Sequence, residues 1–309
     1  MNNQAKIRRG SDIWKKVRRH YQLYLFLIPS IVYVLIFCYV PLNGIQIAFR
    51  DYKATLGIWG SEWIGLENFK RFFSSPACGE LFRNTLILSF YSLVANFPLP
   101  ILLAFFLNQC PGKGFKKVVQ NITYAPYFIS VVVLVGMLNL FLGLNGPAAK
   151  LIELFGGTVD LFMGKPQYFR HVYVWSGVWQ TVGWNSIIYI AALTSVPPEL
   201  HEAAIVDGAN KWQRVRYIDL PSILPTISIM LILSLGGVLG VGFEKVYLMQ
   251  NSMNISVSEV LSTYVYKYGL QKVDYSYSTA ISLISNVVNF VLLMVVNKIS
   301  KRLSGIGLM

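Results

Sequence analysis

The sequence predicts an all-α membrane protein, a bundle of six membrane-crossing helices. Three observations predict it. The 309 residues are 54% hydrophobic and 13% charged, with a mean hydropathy of +0.51, whereas soluble domains carry about 25% charged residues. Six apolar stretches approach or exceed the roughly 20 residues that a helix needs to cross a bilayer; they cover residues 21–47, 84–107, 118–142, 172–193, 223–247 and 279–296. Lys and Arg residues collect in alternate connections between these stretches, as they do when one side is cytoplasmic.

The charge pattern sets the topology. Lys6, Arg8, Arg9, Lys15, Lys16, Arg18 and Arg19 precede the first stretch, which places the N-terminus inside, and six spans return the C-terminus to the same face. The inner segments are then the N-terminal tail, residues 108–117, residues 194–222 and the tail from residue 297. They hold sixteen Lys and Arg against ten outside, with Lys245 left in a span. Acidic residues run the other way, eight outside and five inside, leaving Glu244. The net charge of +13 thus reflects topology, and no nucleic-acid partner is expected. Trp14 suits the interface. The run at 21–40 is longer than a signal-peptide core and no small-x-small site follows it, so it is expected to stay as the first span. The chain reads as a basic cytoplasmic tail (1–20), a transmembrane domain (21–297) with a cytoplasmic loop at 196–222, and a cytoplasmic tail (298–309).

In chain order, Pro29, Pro41, Pro98, Pro100 and Pro126 each remove a backbone hydrogen bond and are expected to bend their spans, which suits a bundle around a path. The first outer loop, 48–83, carries Phe69, Phe72 and Phe73, which fit a short amphipathic helix lying on the membrane. In the fourth span Gln180 and Trp184 share one face, Trp175 and Trp179 another, and Asn185 follows. With Asn96, Asn286 and Asn289 these are the candidates for a substrate path, because polar side chains in spans face the bundle or a cavity. Packing and interhelical hydrogen bonds are the plainer alternative for each of them. In the fifth span Gly236-x-x-x-Gly240, with Gly237 and Gly242, permits close helix approach. Glu244 and Lys245 read as a helix end in the headgroup zone. The third outer loop, 250–278, carries Tyr264, Tyr266, Tyr268, Tyr275 and Tyr277, either an interfacial belt or a partner contact. Cys38, Cys78 and Cys110 suggest neither a disulfide framework nor a metal site.

Catalysis is not expected. No Gly-x-x-x-x-Gly-Lys-Ser/Thr phosphate loop occurs, His20, His171 and His201 are dispersed, and no carboxylate pair sits in a span.

The longest polar run of the C-terminal half that carries helix signals lies at 197–221. Pro198 suits a first helical position, Glu199 and Glu202 suit the first turns, and Gly208 is a stop signal. A second basic helix with Lys211, Arg214 and Arg216 is expected to end at Pro221. Within this run Glu202-Ala203-Ala204, then Gly208, then Ile218-x-Leu220-Pro221 resembles the Glu-Ala-Ala loop of ABC-importer permeases, with every spacing matched. Trp63-x-Gly65-Leu66-x-Asn68-Phe69 followed by Asn84-Thr85 looks like the N-terminal signature of the carbohydrate-type permeases of that family.

The resemblance implies a six-helix bundle of the type I ABC importer permease (MetI-like) kind. It implies transport of an oligosaccharide across a bacterial cell membrane, beside a second, similar permease, two cytosolic ATPases and an extracellular solute-binding protein. ATP and Mg would be bound by the ATPases and no cofactor by this chain. Glu202, Ala203, Ala204, Asp207, Gly208, Ile218, Leu220 and Pro221 would form the ATPase-coupling loop, with Glu202 facing an ATPase arginine. A membrane-embedded enzyme acting on a lipid or glycan, and an ion channel, are the other classes. The first lacks an acid/base or metal constellation and the second has no use for a docking loop.

Overall fold

The computed structural model describes residues 18–110, 112–236 and 240–304. Lys6, Arg8, Arg9, Lys15, Lys16, Trp14 and Gly237 lie outside the described residues. The chain divides into two compact units that meet in sequence between Asn68 and Phe69.

In the first unit, helix α1 (Tyr21–Val34) continues through a π-turn at Leu35–Tyr39 and 3-10 turns at Val40–Phe49, a single apolar rod of 29 residues. No residue of α1 is buried within the chain. A helix apolar on all sides is stable only where its surroundings are apolar too. Beyond it, β1 (Arg50–Asp51) pairs antiparallel with β2 (Glu62–Trp63). The Phe49 and Trp63 rings stack with centroids 5.5 Å apart, and the Arg50 guanidinium lies 5.3 Å from the Trp63 centroid. Gly65 takes φ +63°, where a side chain is disfavoured, and Asn68 Nδ2 donates to the Ala48 carbonyl at 3.0 Å. The Trp-x-Gly-Leu-x-Asn pattern therefore locks the C-terminal end of the first apolar rod.

The second unit begins within α2 (Glu67–Phe73). Helices α3 (Ala77–Asn96) and α4 (Pro98–Gln109) form one span of 33 residues. Pro98 and Pro100 stand in the first turn of α4, where a missing N–H is tolerated. The third span is sharply bent into a pair of helices, at the segment where Pro126 was expected to bend it. Helix α5 (Lys113–Tyr124) extends to Phe128, and α6 (Val131–Phe141) leaves it at 101°. Pro126 cannot donate to the helix ladder, Ile129 is extended, and Ser130 Oγ caps α6 by accepting from the Val133 N–H at 3.3 Å. Helix α7 (Pro147–Leu154) is the short helix of the second outer loop, and α8 (Pro166–Thr194) is the fourth span.

Helix α9 (Pro198–Val206) and α10 (Lys211–Arg214) follow, then a π-turn at Val215–Asp219, then α11 (Leu220–Gly236). The expected stop at Pro221 does not occur: Lys211–Gly236 is one helix of 26 residues. In the π-turn the Leu220 N–H reaches back to the Val215 carbonyl. The widened turn shifts the hydrogen-bond register just before the proline, so the ring enters without breaking the helix. The fifth span accordingly ends at Gly236 and not near residue 247. Gly240 is not helical, so Gly236 and Gly240 form no common helix face; at Gly236, against α15, an added Cβ would stand 3.0 Å from Leu293. After the break come α12 (Phe243–Met249), α13 (Ile255–Ser258), α14 (Leu261–Tyr266), a π-turn at Lys267–Gln271 and α15 (Tyr275–Ser304).

Among the described residues, four helices are long and apolar enough to cross a bilayer, and the bent pair makes a fifth. Helix α8 has the length, 29 residues, but Trp175, Trp179, Gln180, Trp184 and Asn185 dilute its apolarity.

Two loop expectations are corrected. Phe72 is fully buried, packed with Leu81, Leu261, Tyr264, Tyr277 and Ile281; α2 is a core element here, while Phe73 stays exposed. Three of the five loop tyrosines pack inward on one another. Tyr264 and Tyr277 are buried, Tyr268 lies 4.4 Å from Tyr264 and 5.2 Å from Tyr277 between centroids, and Arg71 sits over the Tyr277 ring while pairing with Asp274 at 2.8 Å. Once α2 and α14 cover α15, these rings gain more from packing on each other than from headgroups.

Candidate functional site

Two places in the second unit concentrate polar side chains. The first is the loop after α8. Pro198 begins α9, which ends where Gly208 takes φ +80°. The Ala209 N–H bonds the Ala204 carbonyl at 2.8 Å and the Gly208 N–H the Ile205 carbonyl at 3.0 Å. This closure satisfies the last carbonyls and favours glycine at that position. The next turn starts with a capping box: Asn210 Oδ1 accepts from the Gln213 N–H at 2.9 Å and Gln213 Oε1 from the Asn210 N–H at 2.8 Å. The turn between α9 and the helix that follows it is thereby pinned at both ends by hydrogen bonds.

Helix α9 has two faces. Glu202, Ala203 and Asp207 are exposed, as are Leu200, Ile205 and Val206, the last 87% exposed. On the other face Ala204 and His201 are half-buried. His201 Nε2 lies 3.1 Å from Asp219 Oδ1, and Gln109 Nε2 donates to Asp219 Oδ2 at 3.0 Å. Asp219 is wholly buried. One carboxylate thus joins the loop helix to the end of α4 and to the π-turn that opens α11. Sequence reasoning missed this latch. Asp219 is the unspecified position inside Ile218-x-Leu220-Pro221, and the available signal was a carboxylate four residues before the expected fifth span. Of the remaining loop residues, Ile218 is half-buried, and Leu220 and Pro221 are exposed.

The second place is a polar hollow among α3, α8, α11 and α12. A cavity of about 320 Å³ is lined by Ser89, Asn96, Asn185, Tyr189 and Ser234 among others. A second, of about 410 Å³, shares Ser92, Asn96, Tyr173 and Gly242 with it and adds Gln180, Thr181, Glu244 and Lys245. Three of the six path candidates, Asn96, Gln180 and Asn185, are therefore brought together. They are not idle: Asn96 Oδ1 accepts from Thr181 Oγ1 at 3.3 Å, and Gln180 Nε2 donates to the Ile129 carbonyl at 2.8 Å, supplying the bond that the bend at Pro126 leaves open. Trp184 lines neither cavity; it stacks on Tyr127 at 4.4 Å and 4° and meets Phe128 edge-on, bracing the same bend. Asn286, exposed, and Asn289, half-buried, lie on α15 away from both linings.

Lys245 is buried within the protein and not exposed at a helix end. It is 8% exposed, and its Nζ donates to the Tyr173 carbonyl at 2.9 Å. Helix α11 ends at Gly236, and Lys245 lies on the separate helix α12, held against Tyr173.

Residues 82–305 match the family described as the binding-protein-dependent transport system inner membrane component. The chain is 41% identical over 304 residues to the polygalacturonan/rhamnogalacturonan transport system permease protein YteP of Bacillus subtilis, covering 98% of this chain and 94% of that protein. It is 42% identical over 301 residues to Protein LplB of the same organism, covering 97% and 95%. Among solved structures, a chain of a bacterial ABC transporter involved in the import of the acidic polysaccharide alginate superposes with a TM-score of 0.88 at 38% identity, over 95% of this chain and 99% of that one. The same likeness, TM-score 0.88, holds for a chain of the alginate transporter in complex with an alginate pentasaccharide-bound periplasmic protein. The fold, the loop and these likenesses converge: the chain belongs to the binding-protein-dependent transport system inner membrane component family, a membrane-embedded permease subunit of a type I ABC importer and not an enzyme.

Proposed function

We propose that this chain forms half of the translocation path of an ATP-driven importer for an oligosaccharide. Its partners are a second permease, two cytosolic ATPases and an extracellular solute-binding protein. The single observation that carries the reading is the two-faced α9. Its outer face, with Glu202, Ala203 and Val206, is free to enter an ATPase cleft, while His201 on its inner face meets the buried Asp219 and, through it, Gln109. Closure of the ATPases would push α9, and the latch would carry that push to α4 and α11, whose membrane halves line the hollow around Asn96 and Asn185. The names of the relatives, which include polymers of sugar acids, support the substrate class.

The test is reconstitution in proteoliposomes with the co-purifying ATPase, sister permease and binding protein, measuring uptake of labelled oligosaccharide with ATP inside. Uptake that needs both ATP and binding protein is expected; ATP turnover with no sugar entering would remove the proposal.

Two further outcomes follow. Asp219→Ala removes the carboxylate that accepts from Gln109 Nε2 and faces His201 Nε2, both on half-buried side chains, at a cost of about 0.5–1.5 kcal/mol. If that latch carries the stroke, sugar imported per ATP falls about fivefold or more while ATP hydrolysis continues. An unchanged ratio would assign the latch to folding alone. Both termini are expected in the cytoplasm, because sixteen of the basic residues fall on that side. Ser11→Cys and Ser304→Cys should be labelled by an impermeant maleimide only after permeabilisation; labelling of either in intact cells contradicts the topology.

A further inference from the structure

Among the described residues, Asp219 and Lys245 are the charged side chains that are buried. Asp219 has two side-chain partners. Lys245 has the Tyr173 carbonyl at 2.9 Å and the Tyr173 ring, whose centroid is 4.9 Å from Nζ. An ammonium offers three donors, so one protein acceptor leaves two unused. Among the described residues no carboxylate comes within 4.0 Å of it. A buried cation without a counter-charge is costly inside a membrane protein and marks a pathway more often than a structural role.

The surroundings of Lys245 favour a sugar acid. It lines the 410 Å³ cavity with Asn96, Gln180, Thr181 and Tyr173, side chains whose amides, hydroxyls and ring suit a sugar's hydroxyls and apolar face. Residue 177 is glycine, and a Cβ there would stand 3.3 Å from Nζ, so the backbone leaves room beside the ammonium. We infer that Lys245 is a specificity-determining residue of the path that binds the carboxylate of an acidic, uronate-bearing oligosaccharide. This deepens the proposed function and rests on it. Glu244 lines the same cavity and is exposed; its charge opposes the anion, so the two neighbours should act with opposite sign.

The experiment uses the whole importer in proteoliposomes. The probes are a pentamer of galacturonic acid and its methyl ester, which is uncharged. Uptake is expressed per ATP hydrolysed at saturating loaded binding protein, so that capture by that protein cancels. Lys245→Gln is expected to lower uptake of the acid about tenfold, equivalent to about 1.4 kcal/mol, and that of the ester less than about twofold; Lys245→Arg, which keeps the charge, should restore most of the difference. Equal losses for both probes, or no loss, overturn the inference and leave the oligosaccharide permease standing. Failure of the wild-type complex to import either probe counts against both. If Lys245→Gln yields no intact complex, Glu244→Gln decides: a higher acid-to-ester ratio supports the inference, and an unchanged ratio overturns it.

Discussion

Glu202→Lys and Ala203→Trp are each expected to abolish sugar import without harming insertion. Both residues are exposed on α9, outside the spans and away from the His201 latch. If Glu202 meets a cationic side chain of the ATPase, reversing its charge in a desolvated contact costs about 2 kcal/mol or more, which corresponds to a loss of about thirtyfold. Ala203→Trp adds an indole where two backbones must come close. Uptake and sugar-stimulated ATP hydrolysis should therefore fall together, with weaker retention of the ATPase on pull-down, while the amount of membrane-inserted permease and sugar binding by the isolated binding protein stay unchanged. Wild-type uptake by both variants, normalised to inserted protein, would falsify the docking role of the loop. The pattern differs from that of Asp219→Ala, where hydrolysis continues and only sugar per ATP falls, so docking and transmission can be separated.

Gly183→Leu is expected to prevent accumulation of folded protein. A Cβ at residue 183 would press into the Thr123 carbonyl, where α8 crosses the bent third span. That contact is backbone against backbone, and neither side has a flexible end that could yield. Small residues at helix crossings in membranes allow this approach, and overpacking costs about 1–3 kcal/mol per site even where side chains can shift. Gly183→Ala should already lower the melting temperature by several degrees, and Gly183→Leu should leave little monodisperse protein on size-exclusion chromatography. Gly136 is the control, since nothing lies within 4 Å of a Cβ placed there; Gly136→Ala should behave as wild type. Normal yield and melting of Gly183→Leu would show that the crossing can open.

The bend beside Gly183 also explains the fourth span's polar residues. Gln180 and Trp184 were legible as members of one face, but their partners were not. Gln180 holds the Ile129 carbonyl and Trp184 stacks on Tyr127, which places two of the most conspicuous side chains of α8 on a neighbouring helix that the sequence shows only as an apolar run with one proline.

Several features of this protein are determined locally and could be read from the chain alone. The membrane class follows from composition, because apolarity over some 20 residues is a property of each segment by itself. The conformation of the loop at 198–221 follows from short-range chemistry: Pro198 at a helix start, Gly208 at positive φ, and a fixed spacing to Ile218 and Pro221. Other features depend on what stands opposite. Whether Pro221 stops a helix was decided by the π-turn before it, and the burial of Lys245 by the contact of α12 with Tyr173. Phe72, Tyr264 and Tyr277 are buried because α2, α14 and α15 cover one another. The latch of His201, Asp219 and Gln109 joins residues up to 110 positions apart. Periodicity and spacing report the chain's near neighbours; burial and pairing are set by contacts between segments distant in sequence, and only the tertiary structure brings those together.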